Sequence, residues 1–389
     1  MFANPLNVER PSFLAEEDIV IFEDAVGKFF DDHAPESRVA KWREDGIVER
    51  AMWNEAAEAG LAGLSLPEQY GGAGGDYRHE VILMEQLGTK GVDGFGLSLH
   101  NAIVAHYILH YGTEEQRQRW LPGFCDGTYV SAIAMTEPGA GSDLQGIKAT
   151  ARLDGNEYVI NGSKTFITNG QTANLIVVVC KTDPTQGSRG TSLLVVETEG
   201  AEGFERGRNL DKLGMEAADT SELFFNDVRV PTANLIGGDE GQGFYQLMGQ
   251  LPQERLNIAV QGIATIERAL SVTIDYVKQR KAFGKAIIDF QNTQFKLAEC
   301  KTKATVARVF VNHCIGLHLQ GKLDASTASM AKYWVTDLEN EIVDECLQLF
   351  GGFGYMAEYP IARMYRDSRV QRIYGGTNEV MKILIARTL

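Results

Sequence analysis

The apolar residues of this 389-residue chain change period twice, and each change narrows the folds open to it. From Glu16 to about Cys125 they recur at helical intervals, as where Ile19-Val20-Ile21-Phe22 is followed by Val26, Phe29 and Phe30. Gly112-Thr113-Glu114-Glu115 reads as a turn and a capped helix start, and Trp120-Leu121-Pro122 as the end of that helical stretch. From about Gly127 to Gly238 short strand-like runs take over. These are Glu157-Tyr158-Val159-Ile160, Leu175 to Cys180, Ser192 to Val196 and Glu222 to Val228, divided by Gly and Asn turns as in a small barrel or sandwich. After Gly243 helices return. Leu256, Ala259, Ile263, Ile266, Leu270, Ile274 and Val277 step by three and four along one long helix, whose first turn, read from Leu251-Pro252, holds Glu254. A further helix is predicted from about Ser326 to Leu349, stopping at Gly351-Gly352. The expectation is an α+β multidomain protein: helical over 1–126, β over 127–238 and helical again over 239–389.

A formal charge of −15 argues against a chain whose main task is gripping nucleic acid. No run approaches the ~20 apolar residues of a membrane span. Five scattered cysteines, an odd number with no CxxC pair, fit reduced thiols. Met1 to Glu17 resembles neither a secretory signal nor an Arg-rich transit peptide, so a cytoplasmic place is expected, or the mitochondrial matrix had a transit peptide been removed. The chain lacks a GxGxxG after a strand, a GxxxxGK[ST] and a GxSxG. His106 and His110, with His100 before them and His313 and His318 later, are read as packed or solvated helix residues rather than metal ligands, so no metal is expected.

Two loops stand apart. Thr136-Glu137-Pro138-Gly139-Ala140-Gly141-Ser142-Asp143 can form a concave surface of hydroxyls and free amides suited to a polar or anionic ligand, or an ordinary turn. Arg372-Ile373-Tyr374-Gly375-Gly376-Thr377-Asn378-Glu379 has similar character, or serves only to cap the last helix. Together with Asn161 to Gly170, Arg280-Lys281-Ala282-Phe283-Gly284-Lys285 and Gln348-Leu349-Phe350-Gly351-Gly352-Phe353-Gly354-Tyr355, they form five motifs in a set order. In that order the chain resembles the acyl-CoA dehydrogenase family of flavoenzymes over nearly its whole length.

The resemblance implies a helical N-terminal domain, a middle β-barrel and a C-terminal four-helix bundle, assembled as a homotetramer that is a dimer of dimers. It implies FAD between barrel and bundle. Ile133, Ala134, Met135, Thr136, Gly141 and Ser142 would line the flavin, with Phe166, Ile167 and Thr168 beside its rings; many relatives carry Trp where this chain has Phe166. Arg280, Phe283 and Gln291 would hold FAD from the partner subunit, Arg280 meeting the pyrophosphate bidentately. Gln348, Leu349, Gly351 and Gly352 would approach the dinucleotide closely, and Thr377 and Glu379 would complete the site.

In much of the family the catalytic carboxylate immediately precedes the Gly-Thr pair near the C-terminus, and here that position is Gly375. A minority, the long-chain and isovaleryl enzymes among them, keeps the base where this chain has Glu254. Taken alone, Glu254 is an acid favoured at a helix N-terminus. The missing side chain at Gly375 makes Glu254 the expected base, with helix amides lowering its pKa and substrate desolvation raising it. The reaction implied is α,β-dehydrogenation of a medium- to long-chain acyl-CoA. Glu254 takes the α-proton, hydride leaves the β-carbon for the flavin, and the Gly375 amide stabilises the thioester oxyanion. Tyr245, Gln253, Arg255 and Gly376 would line the substrate channel, Ser142 would face the pantetheine, and electron-transfer flavoprotein would collect the electrons. Branched-chain or terpenoid acyl-CoA oxidation is the alternative within the class, and a flavin-bearing scaffold with vestigial activity the alternative outside it.

Overall fold

A computed structural model describes residues 5–92 and 94–389. The first stretch is helical: α1 (Glu17–His33), α2 (Glu36–Asp45), α3 (Arg50–Glu58), α4 (Tyr77–Lys90), the single turn α5 (Leu97–Leu99), α6 (Ala105–Tyr111) and α7 (Glu114–Cys125). A π-helical turn, His100–Val104, joins α5 to α6. Thr113 caps α7 as its sequence indicates: its hydroxyl accepts from the Gln116 amide, and the Gln116 side chain accepts from the Thr113 amide. Pro122 does not end α7, which continues to Cys125. An internal proline costs ~3 kcal/mol, but Trp120, Leu121 and Phe124 are fully buried around it, at ~1.5–3 kcal/mol for a large apolar side chain.

Seven strands follow: β1 (Ser131–Ala134), β2 (Thr150–Asp154), β3 (Glu157–Thr168), β4 (Leu175–Lys181), β5 (Thr191–Glu197), β6 (Phe204–Asn209) and β7 (Thr220–Pro231). They form one sheet in the order β1-β4-β2-β3-β7-β6, with β5 on the other edge of β4. The period-2 alternation of β4 explains its uninterrupted apolar sequence. Leu175, Val177 and Val179 pack with Tyr107, Ile108 and Trp120 of the helical unit, while Ile176, Val178 and Cys180 pack with Ile160, Phe225 and Val228 inside the curl of the sheet. The β3–β7 ladder shifts register between Lys164 and Ile167, and Phe166 sits in that irregularity.

The chain then runs through α8 (Gly243–Gln279), the small hairpin β8 (Lys281–Ala282) and β9 (Lys285–Ala286), α9 (Gln291–Leu319), α10 (Ala325–Phe350), α11 (Pro360–Ser368) and α12 (Asn378–Ala386). One apolar core unites α1 to α4 with α8 to α11. Buried Arg308 of α9 ties them further, donating to Glu267 of α8 at 2.7 Å and to Glu85 of α4. No helix among the described residues is long and apolar enough to cross a membrane.

Candidate active site

Glu254 is not in the first turn of its helix, as the sequence led us to expect. Helix α8 begins at Gly243, because Gln246 and Leu247 bury two extra turns and hold the helix through Pro252. Glu254 therefore lies in the fourth turn, beyond the reach of the helix-terminal amides that would lower its pKa. Its surroundings act the other way. The side chain is buried, and burial pushes its carboxyl up to about 6, a rise that the Tyr107 hydrogen bond and the Arg255 charge only partly offset. Tyr107 Oη, from α6, donates to Glu254 Oε1 at 2.6 Å.

The neighbours of Glu254 point in two directions. Gln253 Nε2 donates to the Ala102 carbonyl at 2.7 Å, on the π-helical turn, so Gln253 and Glu254 both face the N-terminal helices. Arg255, a hundred degrees around the helix, is buried against α10 instead, with Nη1 3.4 Å from Ser329 Oγ. One turn past Glu254, Ile258 Cδ1 occupies the space where a side chain on Gly375 would begin.

Gly375 and Gly376 both have left-handed backbones, φ 62° and 91°, and a Cβ on Gly376 would overlap Met381. Their loop is pinned by Lys332 of α10, whose Nζ donates to the Gly376 carbonyl at 2.8 Å and to Asn378 Oδ1 at 2.9 Å. Lys332 is buried; burial, then the nearby Arg255 charge, lowers its pKa to about 8. Thr377 is the N-cap of α12, accepting from the Val380 amide, and Glu379 is exposed in that first turn.

The loop after β1 is also held from below. Lys164, buried in β3, donates to Glu137 Oε1 at 2.8 Å and to the Met135 carbonyl at 3.0 Å. Glu137 also accepts from the Lys148 and Ala149 amides at 2.6 and 2.9 Å. Burial pushes the Glu137 carboxyl up, yet Lys164 and these amides together bring it below the ordinary value. Above this support Ile133, Met135 and Thr136 are half-buried, Ala134 is buried, and Gly141 and Ser142 are exposed. Phe166 stands 67% exposed at φ 59°, a conformation that costs a bulky residue of order 1–3 kcal/mol, while Ile167 is buried and Thr168 half-buried.

The second set of motif residues gathers elsewhere. Arg280 caps the far end of α8, about 39 Å along the helix axis from Glu254, and its guanidinium lies 5.3 Å from the centre of the Phe353 ring. Phe283 is 97% exposed at φ 51°, and Gln291, Gln348, Gly351 and Gly352 are exposed too, with Leu349 half-buried. Space beyond Gly351 and Gly352 is open where a Cβ would point. Tyr245, 57% exposed, lies in the first turn of α8.

Sequence reasoning passed over Tyr107, Ile258, Lys332 and the Lys164–Glu137 pair. Only the last had a visible signal, a charged residue inside a strand pattern. His100 and His106 are packed helix residues, as read: burial lowers them to about 4 and about 3. No group of three or more metal-ligating side chains forms among the described residues.

Three family profiles cover this architecture in order: residues 16–128 match the N-terminal domain of acyl-CoA dehydrogenase, 132–228 the middle domain and 241–389 the C-terminal domain. The chain belongs to the acyl-CoA dehydrogenase family. It is 49% identical over 382 residues to the mitochondrial long-chain specific acyl-CoA dehydrogenase of Mus musculus, covering 98% of this chain and 88% of that one. Its fold superimposes on the crystal structure of an acyl-CoA dehydrogenase from Geobacillus kaustophilus with a TM-score of 0.94 at 48% identity, over 96% and 98% of the two chains. A glutaryl-CoA dehydrogenase from Mycobacterium smegmatis, solved in complex with FADH2, matches with a TM-score of 0.91 at 27% identity, over 99% and 97%. This acyl-CoA dehydrogenase is thus an oxidoreductase with helical, β and helical parts in the family's order.

Proposed function

We propose that this acyl-CoA dehydrogenase oxidises linear medium- to long-chain acyl-CoA thioesters to trans-2-enoyl-CoA, with Glu254 as the base. The observation that carries the reading is the pairing of positions 254 and 375. One presents a buried carboxylate with an elevated pKa, and the other is a left-handed glycine whose Cβ space Ile258 fills. A base near neutral pH needs such a carboxyl, since ionised it accepts a proton and its raised affinity keeps it. The 49% identity to a long-chain specific relative supports the substrate class.

The residues suit FAD. Thr136 and Thr168 offer hydroxyls beside the exposed Phe166 face, and at the Arg280 end of α8 the open approaches at Gly351 and Gly352 admit a backbone-hugging dinucleotide. The FADH2 complex of the glutaryl-CoA relative supports the same cofactor. Bound FAD supplies the acceptor for the hydride leaving the β-carbon. Arg280 stands too far along α8 to serve the flavin beside its own Glu254, so we assign Arg280, Phe283 and Gln291 to a neighbouring subunit's FAD within a homotetramer. The Gly375 amide, on the loop that Lys332 pins, stabilises charge developing on the thioester oxygen. Gln253 and Tyr245 serve the substrate channel, and Ser142 the pantetheine. Arg255, turned toward α10, acts as a buried charge behind the Gly375 loop. Electron-transfer flavoprotein takes the electrons in a reducing, cytoplasmic setting, in keeping with five free cysteines.

Flavin bleaching by a series of acyl-CoAs tests this reading. Glu254→Gln should keep FAD and substrate binding and lose on the order of 10²–10⁴ in bleaching rate. A variant that bleaches at near wild-type rate refutes the base assignment. Bleaching by branched thioesters alone refutes the linear substrate class.

A further inference from the structure

Tyr107 belongs to none of the five motifs, and its contact with Glu254 spans 147 positions of sequence. We propose that Tyr107 is the positioning residue of the base: its hydroxyl fixes Glu254 Oε1, so that Oε2 receives the α-proton of the substrate. The inference rests on the reading of Glu254 as base.

Three observations carry it. The O–H···O separation, 2.6 Å, is that of a charge-assisted bond to a carboxylate. Both side chains are buried, so water does not compete for either group. The π-helical turn His100–Val104 lies directly before α6 and re-phases that helix relative to α5; such turns recur at functional sites. Past it, α6 meets α8 at successive levels: His106 approaches Gln253 at 3.4 Å, Tyr107 meets Glu254, and His110 meets Gln250 at 2.8 Å.

Glutamate is long, and a carboxylate left to swing spends little time aligned with one C–H bond. Pinning one oxygen removes that freedom. In the step itself the substrate's Cα–H bond breaks, the proton forms an O–H bond at Oε2, and the electron pair enters the forming Cα=Cβ bond as hydride leaves Cβ for the acceptor the family's reaction supplies. Tyr107 keeps its proton throughout: burial first, then the Glu254 charge, hold its hydroxyl well above the ordinary range. The titratable or charged groups acting on Glu254 are Tyr107 and Arg255, and Tyr111 also faces Tyr107.

The test is Tyr107→Phe holoenzyme, with flavin bleaching by a linear acyl-CoA followed from pH 5.5 to 9. A hydrogen bond to the charged form lowers an acid's pKa, so its loss should move the acidic limb of the rate profile upward by about one to two pH units. The bleaching rate at pH 6.5 should fall about 10- to 100-fold and recover in part at pH 9, with substrate affinity changed less than about threefold. In a Glu254→Gln background the same substitution should alter the residual rate less than about threefold. An unshifted limb, or the same fold-loss in both backgrounds, overturns the inference while leaving Glu254 as base. Near wild-type bleaching by Glu254→Gln alone overturns the base assignment, and the inference with it.

Discussion

At the scale of single residues, Glu254 carries a stability cost that its neutral isostere lacks. Its carboxyl rises from 4.5 to about 6 in the fold, so between those values the folded chain binds more protons than the unfolded one. Stability then falls as pH rises through that window, by about 2 kcal/mol once pH exceeds 6. Glu254→Gln removes this term, while Tyr107 can still donate to the amide oxygen. The variant should melt above wild type at pH 7.5, with the difference shrinking toward zero at pH 4.5. Calorimetry at the two values checks it, and an equal difference at both would mean that the gain has another origin. Activity and stability thus pull against each other at this one position.

At the scale of elements, the Lys332 ammonium of helix α10 holds the loop Tyr374–Thr377 through the Gly376 carbonyl, while Asn378 next to it bonds Tyr333, Thr336 and Asp337 of the same helix. Lys332→Met would take that donor from the half-buried Gly376 carbonyl and leave Asn378 Oδ1 only Thr336 Oγ1 at 3.3 Å, and bonds to a charged group are worth ~1.5–3 kcal/mol. We expect turnover to fall about tenfold or more, with faster amide exchange at residues 375–378 and FAD content retained. Unchanged exchange there would show the pin to be idle. Much of this arrangement was legible beforehand. The long apolar stripe of α8, the Thr113 cap and the stop at Gly351 follow from local rules, because each depends on neighbours within a few residues. The start of α8 departs from its sequence expectation, since Pro252 is good first-turn chemistry and only tertiary burial such as that of Leu247 carries the helix through it. Tyr107 and Lys332 gave no signal: a hydroxyl or an ammonium on a helix looks solvated until a partner far along the chain arrives. The site residues came from family resemblance, which names positions but not the contacts that orient them.

At the scale of the whole molecule, one core joins α1 to α4 with α8 to α11, while Arg280 and Phe283 project at the other end of α8. An aromatic that is 97% exposed and held at φ 51° makes sense where another surface covers it. Phe283→Ala and Arg280→Ala should leave the melting of FAD-free protein nearly unchanged, and weaken both FAD retention and the proposed tetramer on dilution. Sedimentation and flavin absorbance across a concentration series measure this. FAD retained as tightly by both variants as by wild type would place the pyrophosphate elsewhere.

Ile258 gives the proposed placement of the base at Glu254 a consequence for sequence change. Any side chain at position 375 meets its terminal methyl and an unfavourable φ, so an acid appearing there by one codon change would arrive in a filled space. Losing Glu254 first leaves no acid at either of the two positions. Between the two arrangements the end of Ile258 must turn aside and a side chain must bear the φ of 62°, and a smaller residue at 258 eases both the move and its packing cost. A chain with isoleucine at 258 is thus biased toward glycine at 375, and a side chain at 375 should be found more often where 258 is small.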